Sequence, residues 1–409
     1  MNNNDFKDQP AAAAGSESVM GVLPECELTI LMPCLNEAET IAGCVDQAQH
    51  YLKRSRIDGE VLVSDNGSTD GSQEIADAHG ARVIDVSHRG GGYGSGLMGG
   101  ILAARGRFIV MGDSDGSYTF SDLDGFVKKL RAGADLVMGN RFQGGIREGA
   151  MPFLHRHLGN PVLTWLGQLF FGSPAGDFNC GLRGMRKSAI IDLGLLTIGM
   201  EFASEMVVKA TFRGLKIDEV PTTLSPDGRS RPPHLKSWRD GWRVLRFLLL
   251  YSPRWLFLYP GLALVAAGVL TMSIVLPGPL LLGSVVFDVH TLVVAMGAIL
   301  VGSQMALFFL LAKQYASNEG LLPEGERFSD YRRRVSLERS IVVGLILIVL
   351  GTVLLGWAVS LWAVSDFGDL DYSWMMRLVI PSVTMIALGF QIMLAGFFSS
   401  ILDIRHTRA

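Results

Sequence analysis

The chain has 409 residues, and its 36 basic and 39 acidic side chains leave a net charge of −3, so no nucleic-acid partner is expected. Only 18% of residues are charged and 49% are apolar. A soluble domain carries about 25% charged residues, so this balance excludes a disordered chain and argues against a wholly soluble enzyme. Cys26, Cys34, Cys44 and Cys180 form no C-x-x-C pair, which argues against a zinc site or redox motif and reads as four reduced thiols.

Residues 1–24, with an Asn run and Ala11–Ala14, read as a disordered N-terminal tail, and no charged-then-apolar leader suggests a cleaved signal. From Glu27 to about Asn140, short apolar runs alternate with helix-length amphipathic ones. Leu28–Met32, Val61–Ser64, Val83–Val86, Phe108–Met111 and Leu136–Met138 read as strands buried on both faces. Ala38–Arg54, Ser72–His79, Ser95–Ala104 and Ser121–Arg131 read as helices between them. Such alternation predicts an α/β domain, taken as residues 25–237, with a mostly parallel sheet. Ligands of these sheets bind beyond the carboxyl ends of the strands.

The strand ends are therefore the places to look. The first strand leads into Pro33-Cys34-Leu35-Asn36-Glu37, and the second into Asp65-Asn66-Gly67-Ser68-Thr69-Asp70-Gly71. Small polar residues let backbone approach a ligand, and a carboxylate can accept bonds from a base or ribose. Taken singly, each stretch favours ordinary turn and helix-cap chemistry. The fourth strand leads into Gly112-Asp113-Ser114-Asp115-Gly116-Ser117. Two carboxylates at i and i+2 on such a loop can share a hard cation, Mg²⁺ or Mn²⁺, that also touches phosphate oxygens. A D-x-D is common by chance; its place beside two other polar strand ends favours function.

Together, Pro33-x-x-Asn36-Glu37, Ser64-Asp65-Asn66-Gly67-Ser68-Thr69-Asp70-Gly71 and Asp113-Ser114-Asp115 resemble family 2 glycosyltransferases of the Rossmann-like GT-A fold. The nearest branch is that of the polyprenyl-phosphate (dolichol-phosphate) mannose and glucose synthases. Asp177-Phe178-Asn179-Cys180-Gly181-Leu182-Arg183 and Arg229-Ser230, after a Glu219-Val220-Pro221 strand, extend the likeness to about Arg246. The resemblance implies a nucleotide-sugar donor, GDP-mannose or UDP-glucose, a divalent metal, and inversion at the anomeric carbon. It implies donor contacts at Pro33, Asn36, Glu37, Asp65, Asn66 and Asp113, and metal ligation by Asp113 and Asp115. Asn66 stands where many members have a second Asp, and Ser117 where this branch often has Gln, which leaves base choice and metal coordination open.

Gly90-Gly91-Gly92-Tyr93-Gly94-Ser95-Gly96 is neither a Walker A loop nor a G-x-G-x-x-G fingerprint. It reads as a mobile loop or as a backbone cradle for diphosphate at a helix start. Leu154–Phe171 carries Trp165, Phe170 and Phe171 beside His155, Arg156 and His157. Trp238–Leu258 interleaves three tryptophans with Arg239, Arg243, Arg246 and Arg254. Both suit the headgroup layer, or else packing against the sheet. Residues 238–255 are taken as an amphipathic juxtamembrane helix. Between the two stretches, Ser225–Lys236 is a proline- and glycine-broken loop with Arg229, Ser230 and Arg231. Arginine forks match phosphate oxygens, so these three are candidates for an acceptor phosphate. Arg141, just past the fifth strand, should project near Asp115; Asp115, Arg141 and Arg229 are the candidate catalytic residues.

Residues 256–404 hold four apolar runs of about 20 residues, the length that crosses a bilayer: Leu256–Leu276, Thr291–Leu311, Ile341–Ala363 and Leu378–Ile401. Pro260, Pro277 and Pro381 are read as lying at or near their ends. Arg327, Arg332, Arg333, Arg334 and Arg339 fall in Gln314–Ser340, and Arg405 and Arg408 in the 405–409 tail. The other two connections have Asp288, Asp366, Asp369 and Asp371 against one basic residue, Arg377. Positive-inside bias then puts the catalytic domain and both termini on the cytoplasmic side of a bacterial or archaeal-type cell membrane.

The expected activity is hexose transfer from a nucleotide sugar to a polyprenyl phosphate in cell-envelope glycan synthesis. Two alternatives stay open. A processive polysaccharide synthase shares the donor domain, but Tyr251 replaces Gln in the Q-x-x-R-W pattern that ends at Arg254-Trp255. A non-catalytic lipid-binding membrane protein is disfavoured by Asp113 and Asp115 and by spans almost free of ionisable groups. Homo-oligomerisation stays open.

Overall fold

The computed structural model describes residues 25–230, 237–319, 321–322, 328–330, 336–369 and 371–404. The N-terminal tail, Arg231, Arg327, Arg332–Arg334 and the C-terminal tail, to which expectations were attached, lie outside the described residues.

The α/β part runs β1 (Cys26–Cys34), α1 (Ile41–Ser55), β2 (Gly59–Asp65), α2 (Ser72–Ala78), β3 (Arg82–Asp85), α3 (Tyr93–Ala103), β4 (Gly106–Met111), α4 (Asp124–Arg131) and β5 (Leu136–Asn140). It continues with α5 (Arg141–Gly144), α6 (Asn160–Phe171), β6 (Arg183–Arg186), α7 (Lys187–Ile191), α8 (Phe202–Phe212) and β7 (Ile217–Pro221). The seven strands form one sheet in the order β3-β2-β1-β4-β6-β5-β7, parallel except for β6. The strand order reverses between β1 and β4, which opens a crevice outside their carboxyl ends. This is the Rossmann-like, mostly parallel arrangement that the alternating pattern predicts.

The strands β1, β2, β4 and β5 are largely apolar runs because both sheet faces are covered there. β3, expected to be buried on both faces, is instead an edge strand that is only partly buried, since it has a neighbour on one side alone. On β1, Leu28, Ile30, Met32 and Cys34 enter one core with α1 and α4 residues such as Val45, Tyr51 and Phe126. Leu31 points the other way, into a core with Leu97 and Ile101 of α3, Phe202 and Met206 of α8, and Phe247. Two cores on opposite faces make the sheet a rigid platform for its loops.

The amphipathic segment after the loop is broken. Helix α9 (Ser237–Leu250) stops before Pro253, and a π turn at Arg254–Leu258 leads directly into α10 (Tyr259–Val275). Proline removes a backbone donor and crowds the preceding turn, so the break lies where the chain turns into the membrane. A short hairpin, β8 (Leu280–Leu282) with β9 (Val285–Phe287), joins α10 to α11 (Val289–Asn318). The last two helices are α12 (Leu337–Val364) and α13 (Tyr372–Asp403).

Among the described residues, four helices are long and apolar enough to cross a membrane: Arg254–Val275, Val289–Asn318, Leu337–Val364 and Tyr372–Asp403. They are longer than the apolar runs because helical hydrogen bonding continues past the hydrophobic limit. One expectation fails here: Pro381 lies inside α13, not near its end. The helix starts at Tyr372, capped by Asp371, whose side chain accepts from the Ser373 and Trp374 amides, well before the apolar run. The helices pack through small residues. A Cβ at Gly261 would come within 2.7 Å of the Gly302 carbonyl on α11, and one at Gly351 within 2.7 Å of the Ser382 carbonyl on α13. Small residues let helix backbones approach closely where lipid supplies no hydrophobic drive.

Candidate active site

Three strand ends meet in the crevice. Asn36, just past the end of β1, adopts a left-handed φ of 58°, which Asn tolerates better than most residues. In that conformation its amide donates to Ser68 Oγ at 2.8 Å and its Oδ1 accepts from the Thr69 amide at 2.8 Å. The Glu37 amide donates to Ser72 Oγ at 2.8 Å. Pro33 belongs to the same corner, its carbonyl accepting from Ser114 Oγ at 2.7 Å. The loops after β1, β2 and β4 are therefore one locked unit.

Asp65 is fully buried. Its Oδ2 accepts from the Gly67 and Ser68 amides, both at 2.9 Å, and from Gln73 Nε2 at 2.5 Å, while Ser68 Oγ bonds Oδ1. It shapes the loop that carries Asn66. Asn66 Nδ2 donates to the Gly92 carbonyl at 3.1 Å, and its Oδ1 is buried without a hydrogen-bond partner. The glycine-rich stretch is thereby tied to the loop after β2.

The D-x-D loop lies at the centre. Asp113 Oδ1 accepts from the Tyr93 hydroxyl at 2.9 Å. Asp115 Oδ1 accepts from Ser117 Oγ at 2.5 Å and from the Ser117 amide at 3.0 Å. Burial, with the Asp115 charge beside it, pushes Asp113 up to about 6, against the pull of Tyr93, Arg229 and Arg141. Two crowded carboxylates that resist sharing negative charge are relieved by a cation. Among the described residues no group of three or more His, Cys, Asp or Glu is placed to hold a metal ion by itself. Two hard-oxygen ligands on an open loop fit Mg²⁺ or Mn²⁺, which keep other positions for water and phosphate.

The loop after β7 crosses this centre. Ser225 and Gly228 amides donate to the Ser117 and Asp115 carbonyls, both at 2.9 Å. Arg229 then reaches Asp115 at 2.9 Å, Glu37 at 3.1 Å and Asp227 at 2.8 Å, with its side chain only 10% exposed. Desolvation opposes its charge, but Asp227, Asp115 and Glu37 outweigh it and raise its pKa. The Ser230 amide and Oγ donate to Glu39 at 2.7 and 2.6 Å. Arg229 and Ser230 thus sit against the D-x-D loop and the residues after β1.

Arg141 is placed differently. Its guanidinium is buried in a two-pronged pair with Asp177, Nε at 2.7 Å and Nη2 at 2.8 Å. Its charge reaches Asp113 as a long-range pull. Arg183 is also buried, donating to the Cys180 and Phe178 carbonyls at 2.8 and 2.9 Å. Sequence reading did not single out Tyr93, Asp227 or Glu39. Tyr93 stood inside the glycine-rich stretch, but nothing in its spacing pointed to Asp113. Burial pushes the Cys34, Cys44 and Cys180 thiols up to about 11, 12 and 11, so none is a thiolate nucleophile near neutral pH.

Beside the crevice, the segment leading through α6 exposes Leu154, Leu158, Val162, Trp165 and Leu169 on one stripe, and α9 exposes Trp238 and Trp242. Phe170 of α6 stacks on Trp255 at the start of the first span, ring centroids 5.5 Å apart. The apolar stripe is therefore held next to the membrane helices.

Residues 29–194 match the family model described as glycosyl transferase family 2, and residues 310–403 match the glycosyltransferase family 2 C-terminal transmembrane region. The chain is similar to the low-salt glycan biosynthesis hexosyltransferase Agl6 of Haloferax volcanii, 35% identical over 90% of this chain and 87% of that protein. A dolichyl-phosphate hexose transferase of the same organism is 29% identical over 48% of this chain and 81% of its own. Among solved structures, glucosyl-3-phosphoglycerate synthase from Mycobacterium tuberculosis, in complex with Mn²⁺, UDP-glucose and phosphoglyceric acid, aligns with a TM-score of 0.45 and 23% identity, over 55% of this chain and 79% of that one.

Proposed function

The chain belongs to glycosyltransferase family 2 and is an integral membrane protein, and from that premise we propose that it moves one hexose from a nucleotide sugar to a polyprenyl phosphate. The observation that carries this reading is the meeting of Asp113, Asp115 and Arg229 at a strand-end crevice beside membrane-directed helices. A hexosyltransferase and a dolichyl-phosphate hexose transferase among the relatives support transfer of a hexose and a polyprenyl-phosphate acceptor.

A lipid phosphate monoester has its second pKa near 6, so the nucleophile is already anionic at neutral pH. The protein's task is to bring two anions together and to position them. Asp113 and Asp115 would hold a divalent cation, which when bound neutralises charge on the departing nucleoside diphosphate. Arg229, joined by Ser230 and Arg231, would take the acceptor phosphate, trading Asp115 and Glu37 for phosphate oxygens that match its fork. Arg141, fixed by Asp177, lends positive charge without moving. Pro33, Asn36, Glu37, Asp65 and Asn66 would form the donor wall, directly or by shaping it. Attack from the side opposite the leaving group inverts the anomeric carbon. The exposed stripe of α6 and the tryptophans of α9 would lie in the headgroup layer, and the catalytic part and both termini would face the cytoplasm.

The test is donor turnover by purified protein, with GDP-mannose, UDP-glucose and related donors, with and without polyprenyl phosphate and divalent metal. One donor should be consumed only when both are present, and Asp115→Asn should retain fold and membrane insertion while losing most turnover. Donor consumption independent of the lipid, or wild-type turnover by Asp115→Asn, would sink the reading.

A further inference from the structure

The glycine-rich stretch has no part in the chemistry above, yet it touches the centre of the site. Tyr93 opens α3, and its hydroxyl donates to Asp113 Oδ1 at 2.9 Å. We infer that Tyr93 is a positioning residue that holds the Asp113 carboxylate in the orientation a divalent cation requires. The inference rests on the reading of Asp113 and Asp115 as cation ligands.

Several contacts fix Tyr93 in place. Gly92, at φ 108°, presents its carbonyl to Asn66 Nδ2 at 3.1 Å. The Gly94 and Ser95 amides donate to the Ile198 carbonyl at 3.0 and 3.3 Å. A Cβ at Gly94 would meet the Thr197 carbonyl at 2.6 Å and Phe202 Cβ at 2.8 Å, so only glycine lets the helix start seat this deeply. The 194–198 segment is held in turn by Glu205, which accepts from the Leu196 and Thr197 amides at 3.0 and 2.8 Å. Tyrosine in this frame has little freedom to leave Asp113.

The other carboxylate oxygen is confined as well. A Cβ at Gly181 would collide with Asp113 Oδ2, and the Gly181 amide is pinned by the Tyr118 hydroxyl at 3.0 Å. Asp113 is therefore bounded on both sides: a donor on Oδ1, and close backbone beside Oδ2. A carboxylate free to rotate would have to be ordered when the cation binds. Here that ordering is built in, as hydrogen bonds to metal-ligating carboxylates commonly achieve.

The experiment measures Mn²⁺ binding to the purified full-length protein by the electron paramagnetic resonance of free Mn²⁺, with UDP and with GDP present in turn. Tyr93→Phe keeps the ring and removes only the hydroxyl. It should weaken Mn²⁺ binding about tenfold or more, within the range for loss of such outer contacts. The metal concentration for half-maximal rate should rise by the same factor, with the rate at saturating metal and the thermal midpoint largely retained. Gly181→Ala, acting on the other oxygen, should weaken binding too. Asp113→Asn distinguishes failure of the positioning role from failure of the cation site. If it abolishes Mn²⁺ binding while Tyr93→Phe leaves affinity unchanged, Tyr93 is only a packing residue and the inference fails. If Asp113→Asn binds Mn²⁺ like wild type, the cation reading itself fails and takes the inference with it.

Discussion

Arg229, in a proline-broken loop after a strand, is marked by its residue type as an anion contact, and the structure places it in the crevice. That it pairs with Asp115, Glu37 and Asp227 was not legible, because those partners lie far apart along the chain or in motifs read separately. Arg141 and Asp177 were each visible in the sequence, but their buried pairing depends on the register of β5 against β6. Removing Arg229 strips the crevice of a cation that an incoming phosphate would use. Arg229→Ala should lower the maximal rate about a hundredfold or more, the scale of one lost transition-state contact. Arg229→Lys should recover only part, since it keeps charge but not the paired geometry. Initial rates measured against lipid phosphate and donor concentration check this, and an unchanged lipid dependence and maximal rate for alanine would make the loop a plain linker.

Among the secondary-structure elements, the sequence was most legible where burial imposed a period. β1, β2, β4 and β5 were visible because a short apolar run between amphipathic helices buries both of its faces best as a central strand, while β3, visible too, is a partly exposed edge strand. The structure lengthens four of them and shifts β3 by one residue. β6, Arg183–Arg186, was invisible: it is short and rich in arginine, held by neighbours on both sides. In the membrane, helix existence was plain and helix contact was not. The glycines of α12 and α13 look unremarkable until the helices meet: a Cβ at Gly389 would lie 2.5 Å from the Gly344 carbonyl. Gly389→Leu should therefore force α12 and α13 apart and lower the thermal midpoint in detergent, whereas Gly356→Leu, with open space around it, should not. Equal midpoints for the two variants would show that the close approach contributes nothing to stability.

For the whole molecule, the α/β platform and the span helices were readable from composition and periodicity, and their connection was not. The break at Pro253 and the stacking of Phe170 on Trp255 join the α/β part to the first apolar helix, and neither leaves a periodic signal. The proposed orientation can be checked on intact cells with an impermeant thiol reagent. Ser365→Cys should label from outside and Ser329→Cys should not, and the reverse would put the crevice on the side away from cytosolic donors. Transfer of a single hexose to a lipid phosphate leaves a product whose mass is decisive, so mass spectrometry of the lipid made from the donor that supports turnover tests the proposed reaction itself. Polyprenyl phosphate heavier by one hexose is expected, with the nucleoside diphosphate released intact. A ladder of added hexoses, or lipid left unmodified while donor is consumed, would contradict it.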